Sequence, residues 1–391
     1  MPGDVCCICC FDEAEIKSFI ESFDMIGNCD YCGTKRTNVA EVSEVAPFIV
    51  EGVERVYEDA VHSVGWDSAE GGYQLSTTDI EDILGGLGVF SEKLDDPTEL
   101  LREFGFFDGT PYVRKDPYGP LSGGQEEIQR WEEFCEQVNH NQRFTILLRP
   151  PHLDRLDEND HPSVFIRDMV SWMHQALANL ISPDTTIFRA RRSNAGKKLG
   201  HAEITSPPSS DAGNNRMSPA GVSFFYGALD RDTAIAEVRP SLAEEVTVGS
   251  FQVCKTLSVL DFSQIPEPTS PFRENYWFQF EEFIRPFLEQ FAEDISKPIR
   301  PDDALIDYVP TQVFTECIRF WSIEGNEPPD GIIFNSSMKR DGKCVVLFGG
   351  PEISSESDCQ TSGARLRYTG HSLHKITAAN FQHTLVDDPA E

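Results

Sequence analysis

Basic residues are scarce in this chain. Lys and Arg number 33 against 65 Asp and Glu, a formal charge of −32 over 391 residues. That balance argues against a broad nucleic-acid or anionic-membrane surface, because phosphates would be repelled. It fits a soluble protein with a small ligand or a basic partner. Long apolar runs are missing too. None approaches the roughly 20 residues that a bilayer-spanning helix needs, so no membrane span is expected. The opening residues, MPGDVCCICCFDE, carry neither a basic nor an apolar region. A secretory signal peptide is therefore not expected, and the cytoplasm is the expected compartment. In a reducing setting, eleven cysteines point to metal rather than to disulfides. Core formers are not lacking. Hydrophobic residues make up 39% and aromatics 10%, which excludes a disordered chain. The length suits two or three domains.

Residues 1–45 hold six of the cysteines. Cys7-x2-Cys10 and Cys29-x2-Cys32 are two knuckles separated by 18 residues, the spacing of a four-cysteine structural zinc site. Cys6 and Cys9 form a second C-x2-C register, which spacing leaves open. Four protein ligands would close the coordination sphere, so the ion would be structural rather than catalytic. Between the knuckles, Asp12 is a candidate helix cap with Glu15 as its partner. Ile16, Phe19, Ile20 and Phe23 form one apolar stripe.

Residues 46–180 read as a helical domain. Apolar faces recur at Ile49/Val53/Val56, Ile80/Ile83/Leu84 (capped from Thr77 or Thr78), Ile128/Trp131/Cys135 and Phe165/Met169/Met173. The connections at 108–124 and 149–162 are rich in Gly, Pro and Asp. From about 181 to 352 the chain turns α+β, with short strands and scattered helices. TTIFRAR alternates as a strand, with Arg189 and Arg191 on one side. With Arg192, Lys197 and Lys198 they make a positive patch suited to a phosphate-bearing ligand. GKKLG at 196–200 lacks P-loop spacing. Residues 353–391 read as a polar tail.

The stretch from Arg216 to Arg239, RMSPAGVSFFYGALDRDTAIAEVR, organises this last domain. SFFYGAL is a strand by its aromatics. Asp230 or Asp232 can cap the helix that follows, and Pro240 limits it. Glu237 falls at the rim of that helix's apolar face, beside Tyr226 of the strand. By spacing alone, a solvated surface glutamate is the safer reading.

The order of these blocks resembles the RES domain. The resemblance rests on Phe188-Arg189, Arg216 through Gly221, Phe225-Tyr226, Thr233 through Val238, Thr311-Gln312 through Ile318-Arg319, Asp330 through Ser337, and Gly342 through Phe348. It spans about 165 residues with every block in order. Cys7, Cys10, Phe11, Cys29, Cys32 and Gly33 resemble the N-terminal module of long RES proteins. The resemblance implies an ADP-ribosyltransferase-like fold and an enzyme that consumes NAD+, as several bacterial toxins of the family do. Arg189 and Arg216 would then hold the phosphates or ribose, and Tyr226 the nicotinamide side. Glu237 would be the catalytic carboxylate and Ser336 the matching serine, with Ser337 as the adjacent alternative. An antitoxin or other regulatory protein is the implied partner.

These residue types suit that chemistry. The nicotinamide leaving group is already cationic, so no general acid is needed. The transition state is oxocarbenium-like, and one carboxylate near the ribose stabilises its charge. Guanidinium groups grip a pyrophosphate in bidentate fashion. Hydrolysis or phosphorolysis of NAD+ is the leading expectation. Transfer of ADP-ribose to a protein is the first alternative. The second is a non-enzymatic interaction protein, with a zinc module and a decayed RES domain.

Overall fold

The computed structural model describes residues 4–378, apart from 68–70, 105–109, 116–124, 149–160, 194–196, 279, 298–302, 323–324 and 326. Side chains of 282 and 360 are also outside the description. Most of the expected connections at 108–124 and 149–162, Gly196, and the terminal residues 379–391 therefore lie outside the described residues. No described helix is long and apolar enough to cross a membrane.

The chain divides into two compact units, 1–123 with 267–283, and 124–266 with 284–391. The first begins with β1 (Val5–Cys7), α1 (Ala14–Glu21), β2 (Ile26–Gly27) and β3 (Thr37–Glu41), whose strands form a sheet in the order β1-β3-β2. Then come α2 (Val42–Val56), β4 (Tyr57–Asp59), α3 (Ala60–Ser63), β5 (Trp66–Asp67), β6 (Gly72–Tyr73), α4 (Ile80–Gly86), α5 (Thr98–Glu103) and β7 (Tyr112–Arg114). Carboxylates cap α1 and α4, each just after the expected residues. Glu13 rather than Asp12 caps α1, accepting from Ile16 N at 2.8 Å. Asp79 rather than Thr77 or Thr78 caps α4, accepting from Asp82 N at 2.9 Å.

Residues 1–45 do not stand alone as a module. Cys7, Cys10 and Cys29 share one buried cluster with Ile16 and Ile20 of α1, Ile49 and Val53 of α2, and Leu100 of α5. The apolar faces before and after residue 45 form one core.

The second unit begins with α6 (Gln125–Glu136) and α7 (Pro162–Leu177), followed by β8 (Ala178–Ile181), β9 (Thr186–Ser193), α8 (His201–Ile204), β10 (Phe224–Ala228) and α9 (Arg231–Glu237). Next are β11 (Glu245–Val253), β12 (Leu257–Asp261), α10 (Arg285–Ser296), α11 (Ala304–Asp307), α12 (Val309–Phe320), β13 (Gly331–Asn335) and β14 (Lys343–Phe348). The last are β15 (Ser354–Ser355), α13 (Cys359–Ser362) and β16 (Leu366–Lys375). Nine strands form one sheet in the order β15-β16-β11-β9-β10-β14-β13-β12-β8. Its pairs are antiparallel except β12–β13 and β15–β16. The architecture is α+β, with one large mixed sheet and helices.

Two boundaries differ from the sequence reading. Helices α6 and α7 belong to the second unit and not to a helical domain ending at 180. Trp131 of α6 explains why. It packs edge-on against Phe287, Phe291 and Phe314 at centroid distances of 6.2, 5.3 and 5.6 Å. Its indole N–H donates to Asp294 at 2.8 Å, which satisfies its polar edge. Residues beyond 352 are not a loose tail as far as Lys375. β16 pairs with β11 from Glu245↔Lys375 to Val253↔Leu366. The same pairing brings Cys254 and Cys359 to a Cα separation of 5.4 Å, where they form a disulfide. This pair departs from the expected set of metal-bound or reduced thiols.

Trp131 is 2% exposed and Phe144 is 93% exposed. Replacing Trp131 by Ala should cost about 3–5 kcal/mol through lost burial and a cavity. Phe144→Ser should change stability by less than about 0.5 kcal/mol. Urea titration of the two variants beside wild type checks both. Equal effects would contradict the packing assigned to α6.

Candidate functional site

The alternation of β9 places Arg189 and Arg191 two residues apart on a strand held between β10 and β11. Both line a cleft of about 1110 Å³. Among the described residues, Arg192, Arg216 and Arg239 line it as well, against three acids, Glu203, Asp211 and Glu237. Within a chain of charge −32, this is a local surplus of positive charge, and a confined one attracts anions.

Arg189 sits deepest in chemical terms. Its Nη1 donates to Tyr226 O at 2.8 Å, and its guanidinium lies 5.2 Å from the centre of the Phe225 ring. Its Nε is buried and has no hydrogen-bond partner among the described residues. Burial pushes the guanidinium down to about 9, with the neighbouring Arg191 adding to the effect. It remains charged at neutral pH. Burial also lowers Arg191, whose Nη2 makes one 3.3 Å bond to Thr205 O.

Tyr226 stands on β10, whose register with β14 pairs it with Val346. Its hydroxyl meets Ser218 Oγ at 2.9 Å. Burial pushes the phenol up to about 12, against the pull of Ser218. It is a neutral hydroxyl in the cleft wall at any ordinary pH.

Arg216 is placed differently from Arg189. It lines the cleft, yet Nη1 donates to Asp294 O at 2.7 Å and Nη2 donates to Lys297 O. The guanidinium also lies 5.2 Å from the centre of the Tyr308 ring. It therefore satisfies carbonyls at the C-terminal end of α10, a familiar use of a basic side chain. Around it, Thr311 Oγ1 donates to Arg216 O at 2.7 Å, and Gln312 Nε2 donates to Asn215 O at 2.7 Å.

Glu237 is the last residue of α9 and is exposed. Ser336 Oγ donates to its Oε1 at 2.5 Å. The serine oxygen accepts from Met338 N at 3.1 Å and Lys339 N at 3.2 Å. Those two donors turn its own proton toward the glutamate. Ser337, the adjacent alternative, lines the cleft, whereas Ser336 acts on Glu237. Arg189, Arg216, Tyr226, Glu237 and Ser336 thus all lie in or beside one cleft. Sequence reasoning missed Ser218, Tyr308 and Arg239. Ser218 falls inside the Arg216–Gly221 block, Arg239 closes the organising stretch and Tyr308 lies outside every quoted block; spacing gives none of them a role, and the folded chain does. Lys197, part of the expected patch, is paired with Glu203 at 2.6 Å.

The cysteines form a second candidate site in the first unit. The sulfurs of Cys7, Cys10, Cys29 and Cys32 all lie within 4.8 Å of one another. Cys7–Cys10, Cys7–Cys32 and Cys10–Cys29 are separated by 3.9, 3.5 and 3.4 Å. Metal–sulfur bonds of about 2.3 Å in a tetrahedron require sulfur–sulfur edges of roughly 3.8 Å. The donor set therefore fits a tetrahedral, thiophilic ion. Cys29 Sγ accepts from Tyr31 N and Cys32 N at 3.4 and 3.5 Å, and hydrogen bonds from Cys10 and Cys7 lower its thiol. Gly33 follows at φ +68° and closes the second knuckle. Cys6 and Cys9 lie outside the cluster, and Cys9 instead contacts Thr37 Oγ1 at 4.0 Å.

Comparison with known families accounts for both parts of the chain. Residues 186–369 match the RES domain, and residues 24–152 match the HEPN/RES N-terminal domain 1. The chain carries a RES domain behind an N-terminal domain of the HEPN/RES type. No curated protein and no solved structure matches it. The RES match runs into β16, in agreement with the pairing of that strand to β11. RES membership points to an enzyme that acts on NAD+.

The carboxyl of Asp230 gives a pH test of this site. Burial alone would raise it, but hydrogen bonds from Lys339 and Thr233 prevail and hold it at about 2. A carboxylate depressed below its usual value of about 3.9 adds stability above that value, and the contribution is lost as pH falls through the depressed one. Asp230→Asn should therefore lower the urea midpoint at about pH 6, and the gap to wild type should close toward about pH 2. A gap independent of pH would show that the pairing of Asp230 is not what stabilises the protein.

Proposed function

We propose that this RES protein cleaves the bond between nicotinamide and ribose in NAD+, by hydrolysis or phosphorolysis, on a domain of ADP-ribosyltransferase-like fold. One observation carries the reading: Glu237 and Ser336, far apart in sequence, meet at 2.5 Å beside a cleft whose arginines outnumber its acids. Arg189, with Arg191 beside it in the cleft wall, offers positive charge to the dinucleotide's pyrophosphate. Tyr226 offers a neutral face to the nicotinamide side. Glu237 stabilises the positive charge that develops on the ribose as the C–N bond breaks. Nicotinamide leaves neutral, taking the bonding pair. Water then adds to the ribosyl carbon and releases a proton, giving ADP-ribose. Phosphate adds instead to give its 1-phosphate ester. Arg216, engaged with α10 and Tyr308, shapes the cleft wall and contributes charge at longer range.

Loss of NAD+ should be seen with purified protein and should fall by roughly 100- to 1,000-fold in Glu237→Gln. Runs with and without phosphate identify the acceptor. Transfer of label from NAD+ to lysate proteins, without free ADP-ribose, would favour protein modification instead. No loss of NAD+ under any of these conditions would sink the proposal. ADP-ribose at a hundredfold excess over its Kd should stabilise wild type by about 2.7 kcal/mol in thermal melts. Arg189→Met should weaken that affinity roughly 10- to 100-fold, because a charge-assisted contact is lost.

We also propose that Cys7, Cys10, Cys29 and Cys32 hold a structural zinc ion. All four positions come from the protein, so the ion has no open site for chemistry. Its binding energy would add to the folding energy of the first unit. Metal analysis should find one zinc per chain, and Cys29→Ser should abolish it and lower the melting temperature. Zinc-free protein with an unchanged melting temperature would refute the assignment.

A further inference from the structure

Helix α9 is held at both ends by the turn that joins β13 to β14. At its C-terminal end, Ser336 donates to Glu237 Oε1. At its N-terminal end, Lys339 Nζ lies 2.6 Å from Asp230 Oδ1, the residue that caps the helix. The turn is itself closed. Ser336 N donates to Gly342 O at 2.8 Å, and Gly342 N donates to Lys339 O at 3.1 Å. Between the two attachments the backbone of Gly342 presses on the helix. A Cβ at Gly342 would sit 2.4 Å from Thr233 Oγ1 and 3.0 Å from Thr233 Cγ2. The helix has seven residues, too few to hold its own geometry.

We infer that Asp230, Lys339 and Gly342 are positioning residues that set the rotation and height of α9, and so the place of the Glu237 carboxylate. The inference rests on the reading of Glu237 as the carboxylate that acts on NAD+. Lys339 and Asp230 are both partly exposed, so solvent screening leaves their ion pair only a modest share of the stability. A geometric role fits them better. One turn of chain makes both attachments, so moving one shifts the other. Loss of Lys339 frees the start of the helix and lets its end drift from Ser336. A side chain at Gly342 would push the turn away from Thr233 and lengthen the Ser336–Glu237 contact.

Lys339→Met and Gly342→Ala should each lower kcat for NAD+ loss by roughly tenfold or more, since small displacements of a catalytic group are costly. KM and the affinity for ADP-ribose should stay within about twofold of wild type. Lys339→Arg should recover most of the rate. In a Glu237→Gln background, Lys339→Met should have no further effect, because the two act as one unit. An unchanged kcat, a parallel loss of ADP-ribose affinity, or the same loss of rate in the Glu237→Gln background would overturn the inference. A second readout needs no turnover. The side-chain carboxyl carbon of Glu237, identified by its absence in Glu237→Gln, should change NMR chemical shift in Lys339→Met and return in Lys339→Arg. An unmoved resonance overturns the inference even if wild type proves inactive on NAD+. That inactivity would by itself refute only the proposed function.

Discussion

A guanidinium removed from water carries a large penalty unless its donors find acceptors. In this fold Arg189 is only partly compensated, by one carbonyl of β10 and the face of Phe225. The arrangement of the sheet makes this possible. β9 lies between β10 and β11, so its side chains cannot swing clear of their neighbours. A strand in the middle holds it at the cleft with Nε unpaired. An anion entering the cleft would meet this uncompensated charge. Positive charge is therefore a property of the cleft wall itself.

The two principal arginines divide the work that sequence alone assigns to both. Arg216 occupies its terminal nitrogens with Asp294 O and Lys297 O. Those carbonyls end a helix and carry its negative partial charge. The side chain that meets them fastens α10 to the loop before β10 and supports Tyr308 as part of the wall. Arg189 has no such obligation beyond one carbonyl. Two residues of the same type thus serve different ends, and the difference lies in which backbone groups surround them.

The parts legible in the sequence are those governed by short-range pattern. Alternation marks β9 with Arg189 and Arg191 on one side, and knuckle spacing marks Cys7, Cys10, Cys29 and Cys32. Asp230, one of two candidate caps, accepts from Thr233 N as a cap should. What escaped depends on distant pairing. β16 reads LRYTGHSLHK, with few apolar residues, because it lies near the edge of the sheet and most of its side chains are not fully buried. Its strand character comes from the ladder with β11. The helices α6 and α7 have clear apolar faces, yet periodicity cannot say which core receives them. The aromatic cluster around Trp131 decides that, and its members come from three separate helices.

The cysteine cluster shows the same limit in the first unit. Spacing indicates that two pairs of thiols can meet, and Cys7 and Cys10, rather than Cys6 and Cys9, point to the shared centre. Spacing does not indicate that three of the four are also core residues, packed with Ile16, Ile20, Ile49 and Val53. A zinc ribbon standing alone depends on its ion because it buries too little. Here the thiols lie inside a larger apolar cluster, so a bound ion and the core would support one another. Removing the ion would leave thiolates that repel, or thiols that must be buried, at the centre of that core. The disturbance would extend to α2, whose buried face shares the cluster. A metal site closed to chemistry would in this way still bear on the stability of the whole first unit.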